Sequence, residues 1–138
     1  MKYKFIKDLT SDVAFEVYGK NKEELFENSA LALFDIICEI KKVRQEKEKN
    51  FVIEAEGLED LLVRWLEALI ASVDIDELFF SKFEVKIEKN KKYKLEAKAF
   101  GEPTSTEKSG TVVKGITRYK FKLEKTKKGY KARICCDI

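Results

Sequence analysis

The segment Leu58-Glu59-Asp60-Leu61-Leu62-Val63-Arg64-Trp65-Leu66-Glu67-Ala68-Leu69-Ile70-Ala71-Ser72-Val73 decides how this chain is read. Leu58, Leu61, Leu62, Trp65, Leu66, Leu69, Ile70 and Val73 recur at i, i+3, i+4 and i+7, which puts them on one face of an α-helix. Glu59 and Asp60 stand at its start, where unpaired backbone N–H groups favour negative charge. A helix with so broad an apolar face must be covered by other elements, so it belongs at the centre of a core.

Working outward, Asn21 followed three residues later by Glu24 makes a capping-box-like start, and Leu25, Phe26, Ala30, Leu33, Phe34 and Ile37 continue at helical spacing. Before that helix, Lys2 to Ile6 and Ala14 to Tyr18 read as strands. Asp8-Leu9-Thr10-Ser11-Asp12 supplies polar turn residues between them, and Gly19 closes the second. Lys41 to Asn50 is nearly all polar and reads as a loop or exposed hairpin arm, before Phe51, Val52, Ile53 and Ala55 restore a strand.

Beyond the central helix, Phe83, Val85 and Ile87 alternate with Lys82, Glu84, Lys86 and Glu88, and Asn90 turns the chain into Tyr93, Leu95, Ala97 and Ala99. That is an antiparallel hairpin. Glu102 to Gly110 carries the only proline, Pro103, and is expected to form a mobile functional loop. In a second long hairpin, Tyr119, Phe121 and Leu123 take the core face and Arg118, Lys120 and Lys122 the other. After a turn at Lys128-Gly129, Tyr130, Ala132, Ile134 and Cys136 point inward. The order β, β, α, β, α and then four strands predicts an α+β fold. It should be antiparallel β-sheet with two packed α-helices, in one domain over residues 1–138.

The 138 residues are 44% hydrophobic and 12% aromatic, enough apolar surface to offset ordering entropy without disulfide staples. Lys and Arg number 28 against 25 Asp and Glu, and the resulting net charge of +3 is too small to predict a polyanion partner by itself. Met1 to Asp8 has no leader-like apolar stretch, and no window reaches the ~18 apolar residues that span a bilayer, so a cytoplasmic protein without membrane contact is expected. Cys38, Cys135 and Cys136 form no disulfide framework, which fits a reducing compartment. Neighbouring strand residues face opposite ways, so Cys135 and Cys136 do not clamp one metal; Cys38 and Cys136 read as core.

The chain has no histidine, which excludes imidazole bases, His-based triads and His metal ligands. Its six glycines stand apart and form no phosphate loop or dinucleotide fingerprint, so a protein that is not an enzyme is the expectation. Asp8 and Asp12 in the front loop, with Asp137 at the end of the last strand, form an oxygen-only set suited to a hard divalent cation such as Ca²⁺. Read from the residues alone, the same three serve equally as turn former, cap and solvated terminus. Lys114 interrupts the apolar run Val112 to Ile116 and suits either a phosphate or partner carboxylate, or the protection of a sheet edge. The basic arms from Lys108 to Arg133 raise an alternative, an RNA-binding module using the hairpin faces. Against it, alternation sends Tyr119 and Phe121 away from Arg118 and Lys120.

Five pieces in order, Asp8-Leu9-Thr10-Ser11-Asp12-Val13, Leu61-Leu62-Val63-Arg64-Trp65-Leu66, Gly101-Glu102-Pro103, Val113-Lys114-Gly115-Ile116-Thr117 and Cys136-Asp137-Ile138, together resemble the archease family over nearly the whole chain. The resemblance implies an accessory protein that activates an RtcB-type RNA ligase in tRNA splicing and RNA repair. Such a protein promotes ligase guanylylation and multiple turnover, and meets tRNA only through the ligase. It also implies a divalent metal site, with Ca²⁺ expected, at Asp12 and Asp137 with Asp8 nearby and the Ile138 backbone as an oxygen donor, and a functional lysine at Lys114. The family usually has His where this chain has Leu9 and often has His where it has Tyr119, so any role needing imidazole is lost here.

Overall fold

A computed structural model describes residues 1–7 and 12–138. The described residues form strands β1 (Tyr3–Ile6) and β2 (Val13–Gly19), helix α1 (Lys22–Ile37), a 3₁₀ turn (Ile40–Lys42), β3 (Lys47–Ala55), helix α2 (Leu58–Ile75), β4 (Leu78–Lys89), β5 (Tyr93–Pro103), β6 (Gly115–Thr126) and β7 (Gly129–Asp137). Two antiparallel sheets result, one ordered β1-β2-β7-β6 and the other β3-β5-β4.

Both helices touch both sheets: α1 packs on β2, β7 and β4, and α2 on β6, β3, β4 and β5. The helix pair is therefore the middle layer, and one continuous core runs through it from sheet to sheet. Helix α1 is buried on several sides, including the polar Asn28 and Ser29, because it is covered from two directions. Those polar groups are satisfied: Ser29 Oγ donates to the Leu25 carbonyl at 2.7 Å and Asn28 Nδ2 to the Tyr18 carbonyl at 2.8 Å. Asn21 caps α1 as expected, its side chain accepting the Glu24 N–H at 2.8 Å.

Helix α2 starts at Gly57 with no side-chain cap. Loss of a cap costs about 1 kcal/mol. Full burial of a Leu-sized side chain returns roughly 1.5–3 kcal/mol, and α2 buries Leu61, Leu62, Trp65, Leu66 and Leu69 completely, so packing decides this helix. Trp65 stands edge-on to Phe51 and Phe83, and its indole N–H donates to the Phe26 carbonyl at 3.1 Å, which ties the two helices together.

Three sequence expectations are revised. The polar stretch after α1 becomes strand from Lys47, earlier than its apolar residues suggest, because β5 offers partners as far as Gly101. The segment read as a mobile loop has its backbone hydrogen bonds committed. Thr104 N–H donates to the Glu77 carbonyl at 2.8 Å, and Gly110 and Thr111 N–H groups donate to the Ile37 and Ile36 carbonyls at 2.8 and 2.9 Å. Those carbonyls are the orphans at the end of α1, and this segment caps them. Third, Tyr119 is not core: it is 56% exposed. Between Thr117 and Lys122 the β6 strand runs five positions while β7 moves only from Cys135 to Arg133, so the extra residues bulge and the two-residue period breaks there.

Cys38 and Cys136 are buried as expected. Cys135 is buried as well, on the reverse face of the sheet, where it lies opposite Ala14 and Thr117.

Candidate functional site

The site begins with strand pairing that no local pattern specifies. β2 and β7 run antiparallel with Val13 opposite Cys136 and Ala14 opposite Cys135. Asp12 immediately precedes Val13 and so stands at the same sheet end as Asp137, which by alternation faces away from Cys136. On the other side of β7, Gly115 lies opposite Asp137, and the Lys114 N–H donates to the Asp137 carbonyl at 2.7 Å. Asp12, Lys114 and Asp137 thus lie at one end of the four-stranded sheet. Ile138 packs its side chain against the core, which holds its backbone beside Asp137. Asp8 and Leu9 lie outside the described residues.

Asp137 and Lys114 are exposed and Asp12 is half-buried, so the corner faces solvent above a closed core. Burial, then Cys135, then the Asp12 carboxylate push the Cys136 thiol up to about 12, which places the Asp12 charge near that side chain. The Cys136 thiol points into the core and Asp137 away from it, on the face that Cys135 shares. Among the described residues no cluster of three or more His, Cys, Asp and Glu forms. The donor set is therefore two carboxylates with backbone oxygen. That chemistry fits a hard cation whose shell of about 6 to 8 oxygens is completed by water, and it does not fit a soft thiolate-preferring metal.

The basic hairpin faces are less available than their sequence suggests. Arg118 pairs with Asp60 at 2.8 Å, Lys122 with Glu124 at 3.3 Å and Lys131 with Glu16 at 3.0 Å. The bulge does expose Tyr119, with Lys120 Nζ 5.3 Å from its ring centroid, so the aromatic residue discounted as core stands in solvent beside a cation.

Comparison with known proteins meets this geometry. The model of the Archease protein family (MTH1598/TM1083) matches residues 3–138. The chain belongs to the archease family. It is 41% identical over 138 residues to the protein named archease from Archaeoglobus fulgidus, covering 100% of both chains. It is 44% identical over 133 residues to the Pyrococcus abyssi archease, covering 94% of each. The solution structure of Methanobacterium thermoautotrophicum protein 1598 superposes with a TM-score of 0.85 at 31% identity, covering 99% of this chain and 98% of that one. A Thermotoga maritima protein described as an archease and possible chaperone shares the fold, with a TM-score of 0.66 at 20% identity over 96% of this chain and 95% of that one. The archease fold is thus α+β, two antiparallel sheets and two helices. Among the described residues no helix is long and apolar enough to cross a membrane.

Proposed function

We propose that this archease is an accessory protein that activates an RtcB-type RNA ligase, promoting guanylylation of the ligase and its multiple turnover in tRNA splicing and RNA repair. It performs no ligation itself, acts in the cytoplasm and meets tRNA through its partner. The observation that carries this reading is the placement of Asp12, Asp137 and Lys114 at one sheet end, in a chain of a family whose members include a described possible chaperone.

In this proposal Asp12 and Asp137, with the Ile138 backbone and with Asp8 as a further donor, hold a divalent cation, Ca²⁺ by preference for oxygen donors. The cation would neutralise the two carboxylates and so fix the orientation of the corner. Lys114 adds a compact, strongly hydrated positive charge beside them, suited to a phosphate or carboxylate on the ligase. Its backbone bond to Asp137 couples the lysine to that strand end.

The test is ligase guanylylation and turnover in the presence of wild-type, Asp12→Ala or Asp137→Ala protein. Both variants should stimulate far less than wild type while melting at a similar temperature. Full stimulation by both would remove the site assignment, and absence of stimulation by wild type would remove the partner.

A further inference from the structure

We propose that the opposite end of the same sheet holds a second site, a lysine-lined cleft that binds the phosphates of a single-stranded RNA. A cleft of about 770 Å³ is lined there by Lys2, Lys20, Lys127, Lys128, Tyr18 and Tyr130. It is larger than an inorganic phosphate needs and lies in the range of pockets that take nucleotide-sized ligands.

Three elements build it, and each is held in place. The Tyr18 N–H donates to the Lys2 carbonyl at 2.9 Å, which fixes the chain start against β2. Lys20 lies in the β2-to-α1 turn, where its N–H reaches Glu24 Oε1 at 3.3 Å. Lys127 and Lys128 form the two-residue turn between β6 and β7, followed by Gly129 at φ +139°. A β-carbon on Gly129 would stand 2.2 Å from the Gly19 carbonyl, so the two turns touch backbone to backbone and their lysines are carried on one rigid seam.

Charge gives the cleft its ligand. Elsewhere on the sheets several lysines are matched to carboxylates, as in Lys82 with Glu84 at 3.6 Å, Lys94 with Glu96 at 3.3 Å and Lys122 with Glu124 at 3.3 Å. Among the described residues, none of Lys2, Lys20, Lys127 and Lys128 has such a partner; Lys131 is engaged by Glu16, and Glu24 is the one acidic side chain in the lining. Gathering four unmatched ammonium groups in one concavity raises the local potential, which favours a polyanion. The apolar faces of Tyr18 and Tyr130 add the surface on which a base stacks, as single-strand binders require. Free phosphate shares the first feature and lacks the second, which favours a nucleic-acid strand.

The site stands apart from the acidic corner, and its test contains neither ligase nor divalent cation, so the two proposals fail separately. A fluorescein-labelled single-stranded oligouridylate is titrated by anisotropy at low salt and over a salt series. Competition with inorganic tripolyphosphate measures the phosphate contribution alone. Wild type should bind, and Lys127→Glu/Lys128→Glu and Lys2→Glu/Lys20→Glu should each weaken binding at least tenfold. The salt slope should flatten by about 0.7 for each phosphate the variant no longer neutralises. Lys86→Glu/Lys91→Glu makes the same charge change on the β4–β5 hairpin and should weaken binding far less. These lysines are exposed, and thermal melts check that each variant folds. No binding by wild type at low salt, equal weakening by cleft and control variants, or complete displacement by tripolyphosphate at an affinity matching the RNA would overturn the proposal.

Discussion

The backbone N–H of Lys114 donates to the carbonyl of Asp137 at 2.7 Å, so the lysine and the acidic strand end are joined by main chain and not by charge alone. Alanine keeps that N–H. Lys114→Ala should therefore leave stability within about 0.5 kcal/mol, as for an exposed substitution away from packing, while ligase stimulation falls. Paired chemical denaturation and turnover assays separate the two effects. A loss of stability matching the loss of stimulation would make the lysine structural.

Cation binding to the folded corner should raise the melting temperature. For a ligand that binds only the folded state, saturation at a hundred times Kd adds about 2.7 kcal/mol. Ca²⁺ is expected to stabilise wild type in a calorimetric titration and to leave Asp137→Asn unaffected. Equal stabilisation of both proteins would place the ion elsewhere.

Trp65→Ala removes the largest fully buried side chain and its bond to Phe26. Truncations of this kind cost about 3–5 kcal/mol, a large share of the stability of a domain this size. Urea unfolding should show that loss in the midpoint with an unchanged slope.

Glu16 supplies a pH dependence whose sign can be worked out. Lys131 foremost, and Lys4 and Tyr18 beside it, hold its carboxyl below the ordinary 4.5 against the opposing effect of burial. Such a group stabilises fully above about 4.5 and less as pH falls through its folded value. Lys131 is raised above 10.5 by the same bond, so its contribution is present below that pH and lost above its folded value. Glu16→Gln should narrow the stability difference between pH 7 and pH 3. Melts of both proteins at the two pH values would show it, and an unchanged difference would count against the pair.

Gly129→Ala should destabilise by about 1–3 kcal/mol, since φ +139° disfavours a side chain and the Gly19 carbonyl occupies the space. A smaller loss would mean that the two turns can separate, and the cleft would lose its rigid seam.

What was legible in the sequence was local. The face of α2, the Asn21 cap and the Lys128-Gly129 turn follow from patterns within a few residues, and the helices and hairpins stand where those patterns put them. The pairing of β2 with β7 carries no such signal, because it joins the front of the chain to its end; the aspartates at its tips could be nominated but not joined. Tyr119 was misplaced because counting by twos fails across extra residues in one strand. Lys127 falls within the basic arms from Lys108 to Arg133 and Lys20 is an ordinary turn lysine; nothing in the sequence joins them until Gly129 brings the two turns into contact.

β7 spans nine residues from Gly129 to Asp137, with a neighbour hydrogen-bonded along each edge. At about 3.3 Å per residue it measures roughly 27 Å and acts as a stiff ruler between cleft and corner. A small molecule can occupy only one end at a time, whereas a partner the size of an enzyme domain can grip both, and the span it must bridge does not stretch.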